Sequence, residues 1–203
     1  MKATATYKES HKDSWIQSFS GKAFNIFVPR ITDVDIIDIA HALSHICRYG
    51  GHCRIFYCVA QHCVEGSRLL DDGTDEGREL AKQFLLHDSA EAYIGDMTRP
   101  MKRTPEMKMF RDVEENIERL IAKRFGLSYP YDPRVKQMDN ALLGAEYQAV
   151  MRGKLVRKKA KEGTLRDWQF PEPPADVKIK PMTSYAAKRA YLRQFRKLFE
   201  EVA

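Results

Sequence analysis

A chain of 203 residues that is 43% hydrophobic and 31% charged has the balance of an ordinary globular protein and enough length for one well-buried core. No apolar run approaches the ~18 residues that a membrane span needs, so membrane-spanning functions are excluded. The net charge of +6 suits anionic partners, either nucleic acid or phosphorylated small molecules, and charge alone does not choose between them.

The amino-terminal MKATATYKESHKDSW has no apolar core and no cleavage signature, which argues against export and for a cytoplasmic location. Residues 15–28, WIQSFSGKAFNIFV, place two aromatic-rich stretches around Ser20-Gly21 and read as a small β-hairpin or an extended lead-in. From Asp33 the period changes. Ile36, Ala40, Leu43 and Cys47 recur at helical spacing before Gly50-Gly51, predicting a first helix. A second is expected from about Ile55 to Leu70 and a third from about Asp75 to Ala92. Thr98 to Lys102 breaks the pattern, and Pro105 to Phe125 restores it with Phe110, Val113, Ile117, Leu120 and Ile121 on one face, ending at Gly126.

Tyr129 to Pro133 reads as a proline-bounded linker, and Arg134 to Arg152 as a further helix through Val135, Met138, Leu142 and Ala145. Residues 153–183 are basic and then proline-rich, with Lys154, the Arg157-Lys158-Lys159 cluster and the run Pro171 to Pro174, which predicts a surface excursion. A last helix, Ser184 to Glu201, would dock on the core through Tyr185, Leu192, Phe195 and Phe199. The expectation is one all-α domain over residues 1–203, with a core of about 31–152 and a C-terminal excursion and docking helix over 153–203. Cys47, Cys53, Cys58 and Cys63 lack a Cys-x-x-Cys pair and read as reduced core residues rather than a zinc cluster.

Polar groups that interrupt apolar helix faces call for explanation, because burying an imidazole or carboxylate without a partner costs several kcal/mol. Three places qualify: His62, the adjacent pair His87-Asp88, and Asp139. Singly, His62 reads as a satisfied core histidine, and Asp139 as a surface carboxylate paired with Lys136 or Arg134. Together, two imidazoles and two carboxylates make a mixed N/O set suited to a divalent transition metal, with positions left for water and phosphate oxygen. A helical continuation would put Glu91 one turn beyond His87 and Asp88 on roughly the same face.

The order His62, His87-Asp88, Asp139 resembles the H…HD…D signature of the HD-domain phosphohydrolases, all-helical enzymes in which such side chains hold a catalytic metal. Val59-Ala60-Gln61-His62 is similar to the segment around that family's first metal histidine. His87-Asp88-Ser89-Ala90-Glu91 followed by Gly95-Asp96 resembles the second motif of its 5′-deoxynucleotidase branch. The stretch Ala42 to His52 also resembles the small HD proteins of phages and prophages, which include dATP triphosphohydrolases. The likeness covers roughly Ser18 to Val150.

The resemblance implies His62, His87, Asp88 and Asp139 as metal ligands, with zinc, cobalt or manganese as the ion and magnesium as a possible second one. It implies Glu91 as the acid-base group with Asp96 assisting, Arg48 as a phosphate clamp, and Tyr49 as the aromatic wall against the sugar. Lys102 and Arg103 would meet the outer phosphates or form a solvated basic loop. His52 would contact phosphate or cap the preceding helix. Glu146, two turns beyond Asp139, would contact the base, order a metal ligand, or pair at the surface with Arg152 or Lys154, the last being the favoured reading.

The implied reaction is hydrolysis of the 5′ phosphate ester of a deoxynucleotide. A dATP or other deoxynucleoside triphosphate is preferred over a monophosphate, because Arg99, Lys102, Arg103 and the 157–159 cluster supply extra cations. The implied setting is a homo-oligomer in the cytoplasm, that of the host if the gene is carried by a phage. Two alternatives compete: a nucleic-acid-binding module built on basic residues 152–161, which lacks stacking aromatics, and a hydrolase of cyclic dinucleotides or guanosine tetraphosphate on the same scaffold.

Overall fold

The computed structural model describes residues 7–151, 172 and 175–199. The basic cluster 157–159, Lys154, Arg152 and most of the proline run lie outside the described residues, as does the end of the last predicted helix beyond Phe199. Among the described residues the chain is all-α apart from one small hairpin. A short helix α1 (Tyr7–Ser10) precedes β1 (Trp15–Gln17) and β2 (Ala23–Asn25), which pair antiparallel with Ile16 opposite Phe24. Then follow α2 (Ile36–His45), α3 (Val59–Leu70), α4 (Asp75–Leu86), α5 (Glu91–Ile94), α6 (Arg99–Lys102), α7 (Lys108–Arg124), α8 (Pro133–Val150) and α9 (Ser184–Phe199). No helix among the described residues is long and apolar enough to cross a membrane.

Several predicted boundaries move, each for a local reason. The first helix stops before Cys47, because Ile46 turns to extended backbone and Cys47 pairs as an isolated antiparallel bridge with Cys58. That bridge also delays α3 to Val59, leaving Ile55 and Phe56 exposed in the intervening loop. Helix α4 ends at Leu86 rather than running to Ala92. There the His87 ring donates from Nδ1 to the Phe84 carbonyl at 2.7 Å, and Tyr191 Oη donates to the Leu85 carbonyl at 2.8 Å. Carbonyls that a continuing helix would use are thereby taken. The chain proceeds through tight three-residue turns, Ser89 N–H to Leu86 and Glu91 N–H to Asp88, into α5. The predicted break at Thr98 to Lys102 is itself a single helical turn, α6.

The core centres on α3 and α4, with α2 and α9 packed against them. Helix α9 docks as expected but by a different face. Ala187, Ala190, Tyr191 and Leu198 are buried, Leu192, Phe195 and Phe199 pack at the edge, and Tyr185 is 68% exposed. The return segment before α9 is pinned by Gln61, fully buried, whose amide donates to the Lys180 carbonyl at 2.8 Å and accepts the Met182 N–H at 2.9 Å. The four cysteines are free; Cys58 and Cys63 are buried, and Cys47 and Cys53 half-buried.

The close approach of α3 to α4 depends on Gly66. A Cβ built there would lie 2.1 Å from Phe84 Cε1, and Phe84 is fully buried with its ring 4.5 Å from that of His87 and 5.4 Å from that of His62. Gly66→Ala must therefore displace the side chain that backs both histidines. The expected cost is about 1–3 kcal/mol, as for overpacking a tight core, read as a lower denaturant midpoint at unchanged slope.

Candidate metal centre

The four candidate ligands come from three places in the fold. His62 sits in the first turn of α3 with no exposed surface, His87 and Asp88 occupy the break after α4, and Asp139 lies in α8, 5% exposed. His62 Nε2 is 3.3 Å from Asp139 Oδ1 and 3.7 Å from Asp88 Oδ2, and His87 Nε2 is 3.1 Å from Asp88 Oδ1. Ligand atoms of His62, His87 and Asp88 all lie within 4.8 Å of one another, and the group could hold a metal ion. Neighbouring ligands around an ion bound at ~2.1 Å stand roughly 3.0–3.4 Å apart; the 3.1 and 3.3 Å separations match that spacing, the 3.7 Å one exceeds it, and Asp139 lies outside the three-residue group.

The tautomers agree with that role. A carbonyl and a carboxylate only accept, so the proton of His87 is on Nδ1 toward Phe84, and that of His62 on Nδ1 toward Glu146 Oε1 at 2.6 Å. Both Nε2 atoms then face inward. Both are buried and make no well-aligned hydrogen bond, with carboxylate oxygens of Asp139 and Asp88 3.3 and 3.1 Å away, an arrangement that a cation between them would complete. Burial holds the His87 imidazole below its ordinary pKa, in the neutral form a metal requires. Burial and the Arg48 guanidinium oppose a charge on His62, but Glu146 and Asp139 outweigh them and hold its pKa up to about 9. In the metal-free protein His62 thus carries a second proton, on Nε2 toward Asp139, and metal binding at Nε2 displaces it. Asp139 is held well below the usual carboxylate range: His62, His87 and Lys136 overcome its burial.

Asp139 is not the surface carboxylate of the simple reading. Its Oδ2 takes Lys136 Nζ and Arg99 at 3.4 Å, leaving Oδ1 toward His62. Arg99 also reaches Asn140 Oδ1 at 3.4 Å.

Arg48 lies over the same cluster, with NH1 3.8 Å from Asp88 Oδ2 and NH2 3.1 Å from Glu146 Oε2, while its Nε is buried without a partner. It has donor capacity to spare beside the metal ligands. Tyr49 adopts a left-handed backbone (φ 57°, ψ 29°), unusual for a side chain of its size, and its hydroxyl donates to Glu146 Oε2 at 3.1 Å. His52 is exposed and closes this turn with its backbone N–H on the Tyr49 carbonyl.

Glu91 is 8% exposed and its Oε2 has no partner. Burial, Asp88 and Asp96 push its carboxyl well above the ordinary range. Asp96 follows at an exposed position, its carboxyl raised by partial burial and by Asp88 despite Arg48 and Lys102. Lys102 Nζ is 2.5 Å from Glu114 Oε2, and Arg103 is exposed.

Two residues were misread or missed. Glu146, expected at the surface, has no exposed area and four donors around it. Glu114, 6% exposed, received no role from the sequence, although a carboxylate next to Val113 on the apolar stripe of α7 is the same signal that marked His62.

No protein-family profile matches the chain. It is 38% identical over 133 residues, 66% of its own length and 70% of the relative's, to the uncharacterized protein YfdR of Escherichia coli. It is 31% identical over 121 residues to an uncharacterized protein of Rhodobacter capsulatus, covering 57% of this chain and 60% of that one.

Proposed function

We propose that this chain, which belongs to the same family as the Escherichia coli protein YfdR, is a metal-dependent phosphohydrolase of HD-domain type that cleaves the 5′ phosphate ester of a deoxynucleotide. One observation carries the reading. Two buried imidazole nitrogens without well-aligned hydrogen bonds, His62 Nε2 and His87 Nε2, converge with Asp88, while Asp139 lies against His62, beside an arginine and a buried carboxylate with one unpartnered oxygen. The likeness to the H…HD…D signature supports the same assignment.

In this reading His62, His87, Asp88 and Asp139 hold the ion, which is zinc, cobalt or manganese. When bound, such an ion lowers the pKa of water and polarises a phosphoryl oxygen. Arg48 supplies a planar fork to the phosphate. Glu91 takes the proton from the attacking water or returns one to the leaving 5′ oxygen, and the more exposed Asp96 assists it. Tyr49 walls the sugar. Lys102, Arg99 and Arg103 stand as the outer cations that a triphosphate needs, which favours dATP or another deoxynucleoside triphosphate over a monophosphate.

Product analysis tests this. With manganese or cobalt added, dATP is expected to yield deoxyadenosine and tripolyphosphate. Release of inorganic phosphate from dAMP, with dATP untouched, would assign the monophosphate reaction instead. No turnover of any deoxynucleotide with zinc, cobalt, manganese or magnesium would remove the proposal.

A further inference from the structure

Glu146 is a fully buried carboxylate whose two oxygens are both engaged, and its partners come from both sides of the candidate site. Oε1 accepts from His62 Nδ1 at 2.6 Å and Tyr57 Oη at 2.8 Å. Oε2 accepts from Tyr49 Oη and forms an ion pair with Arg48 NH2, each at 3.1 Å. A carboxylate offers about four lone-pair sites; three hydrogen bonds and the Arg48 ion pair occupy its surroundings. Such burial opposes folding unless every site is satisfied, so the position is costly to keep for packing alone.

We propose that Glu146 is a positioning residue that joins the two halves of the site, one oxygen setting the metal ligand His62 and the other aiming the phosphate-facing Arg48. This rests on the metal and phosphate reading given above. On the metal side, an acceptor at Nδ1 fixes the proton there and leaves the Nε2 lone pair for the ion. On the phosphate side, Oε2 holds NH2 of the guanidinium, so that NH1 stays beside Asp88 and Nε remains unpartnered. The Tyr49 hydroxyl ties the left-handed turn carrying Arg48 to the same oxygen. Helix α3, helix α8 and the Arg48 turn are therefore fixed through one side chain, and the metal ligand and the phosphate clamp keep a common register.

Glu146→Gln in the full chain is the discriminating variant. A glutamine has one carbonyl and one amide NH2, so whichever way it sits it accepts on one side and presents a donor to donors on the other. Cobalt(II) and inorganic phosphate serve as separate probes. The expected result is a loss of about 10–100-fold in affinity for at least one of them, with the helical circular dichroism signal retained. Tyr57→Phe, which removes one donor and leaves both carboxylate oxygens in place, is expected to bind both probes within about threefold of the parent. Parent-like affinity for both probes in Glu146→Gln overturns the proposal, and so does an equal loss in Tyr57→Phe, which would mark general loosening. A parent protein that binds phosphate but no cobalt overturns the metal reading itself, a distinct failure seen without any variant. Should Glu146→Gln not fold, 15N-histidine NMR of the zinc-loaded parent decides: a proton on His62 Nδ1 with the metal on Nε2 supports the proposal, and metal on Nδ1 overturns it.

Discussion

Asp88→Ala is expected to abolish metal binding, with at least roughly a thousandfold loss of cobalt affinity and no measurable hydrolysis. The reason is its place in the cluster. Asp88 Oδ1 lies 3.1 Å from His87 Nε2, and Oδ2 lies 3.7 Å from His62 Nε2 and 3.8 Å from Arg48 NH1. Among the described residues it is the carboxylate within 4 Å of both imidazoles; without it His62 keeps Asp139 and Glu146, whereas His87 keeps no carboxylate at that distance. Loss of one of the four proposed ligands also removes the negative charge that offsets an ion's cost of leaving water.

The metal-free variant should not be less stable. Asp88 raises the pKa of Glu91, Asp96 and Glu114, which means that its charge repels theirs. Removing it relieves that repulsion but gives up the attraction to Arg48 and His87, so the apo melting temperature should stay close to that of the parent. Isothermal titration with cobalt and a thermal melt of the apo protein check the two halves. Parent-like cobalt affinity in Asp88→Ala would discard Asp88 as a ligand, and a large drop in apo stability would recast it as a structural residue.

How much of this was legible follows from the range of the forces involved. His62 and His87-Asp88 were readable because each is a polar residue in or at the end of an apolar stretch, and a desolvation penalty is local information. The helices were readable for the same reason, through apolar spacing along α3, α4, α7 and α8. The end of α4 was not. It depends on Tyr191, 106 residues away in sequence, taking the Leu85 carbonyl, and on the rotamer by which His87 takes that of Phe84. Glu146 was misplaced for a similar reason. Its spacing from Asp139 gave its side of the helix, but its donors Arg48, Tyr49 and Tyr57 belong to a turn and loop on the far side of the sequence. A helical period reports which way a side chain faces; it does not report what the fold has brought opposite. Glu114 is the contrary case, a carboxylate on an apolar face whose signal was present and passed over, with Lys102 as its partner.

Glu91→Gln tests the chemistry apart from the metal. The variant is expected to keep cobalt affinity within about threefold of the parent, because Glu91 belongs to the turn beyond the ligands, and to lose turnover by roughly two to four orders of magnitude, as removal of an acid-base group does. The pH dependence adds a second reading. In the metal-free protein, burial, Asp88 and Asp96 keep the Glu91 carboxyl well above the ordinary carboxylate range, and a bound cation draws it down again. A base acts as the carboxylate, so the rate should fall as pH drops through this group's pKa and level off above it. Glutamine cannot titrate, and its residual rate should lack that acid limb. A limb that persists unchanged in Glu91→Gln belongs to another group, and full turnover in the variant would leave Glu91 with no part in moving the proton.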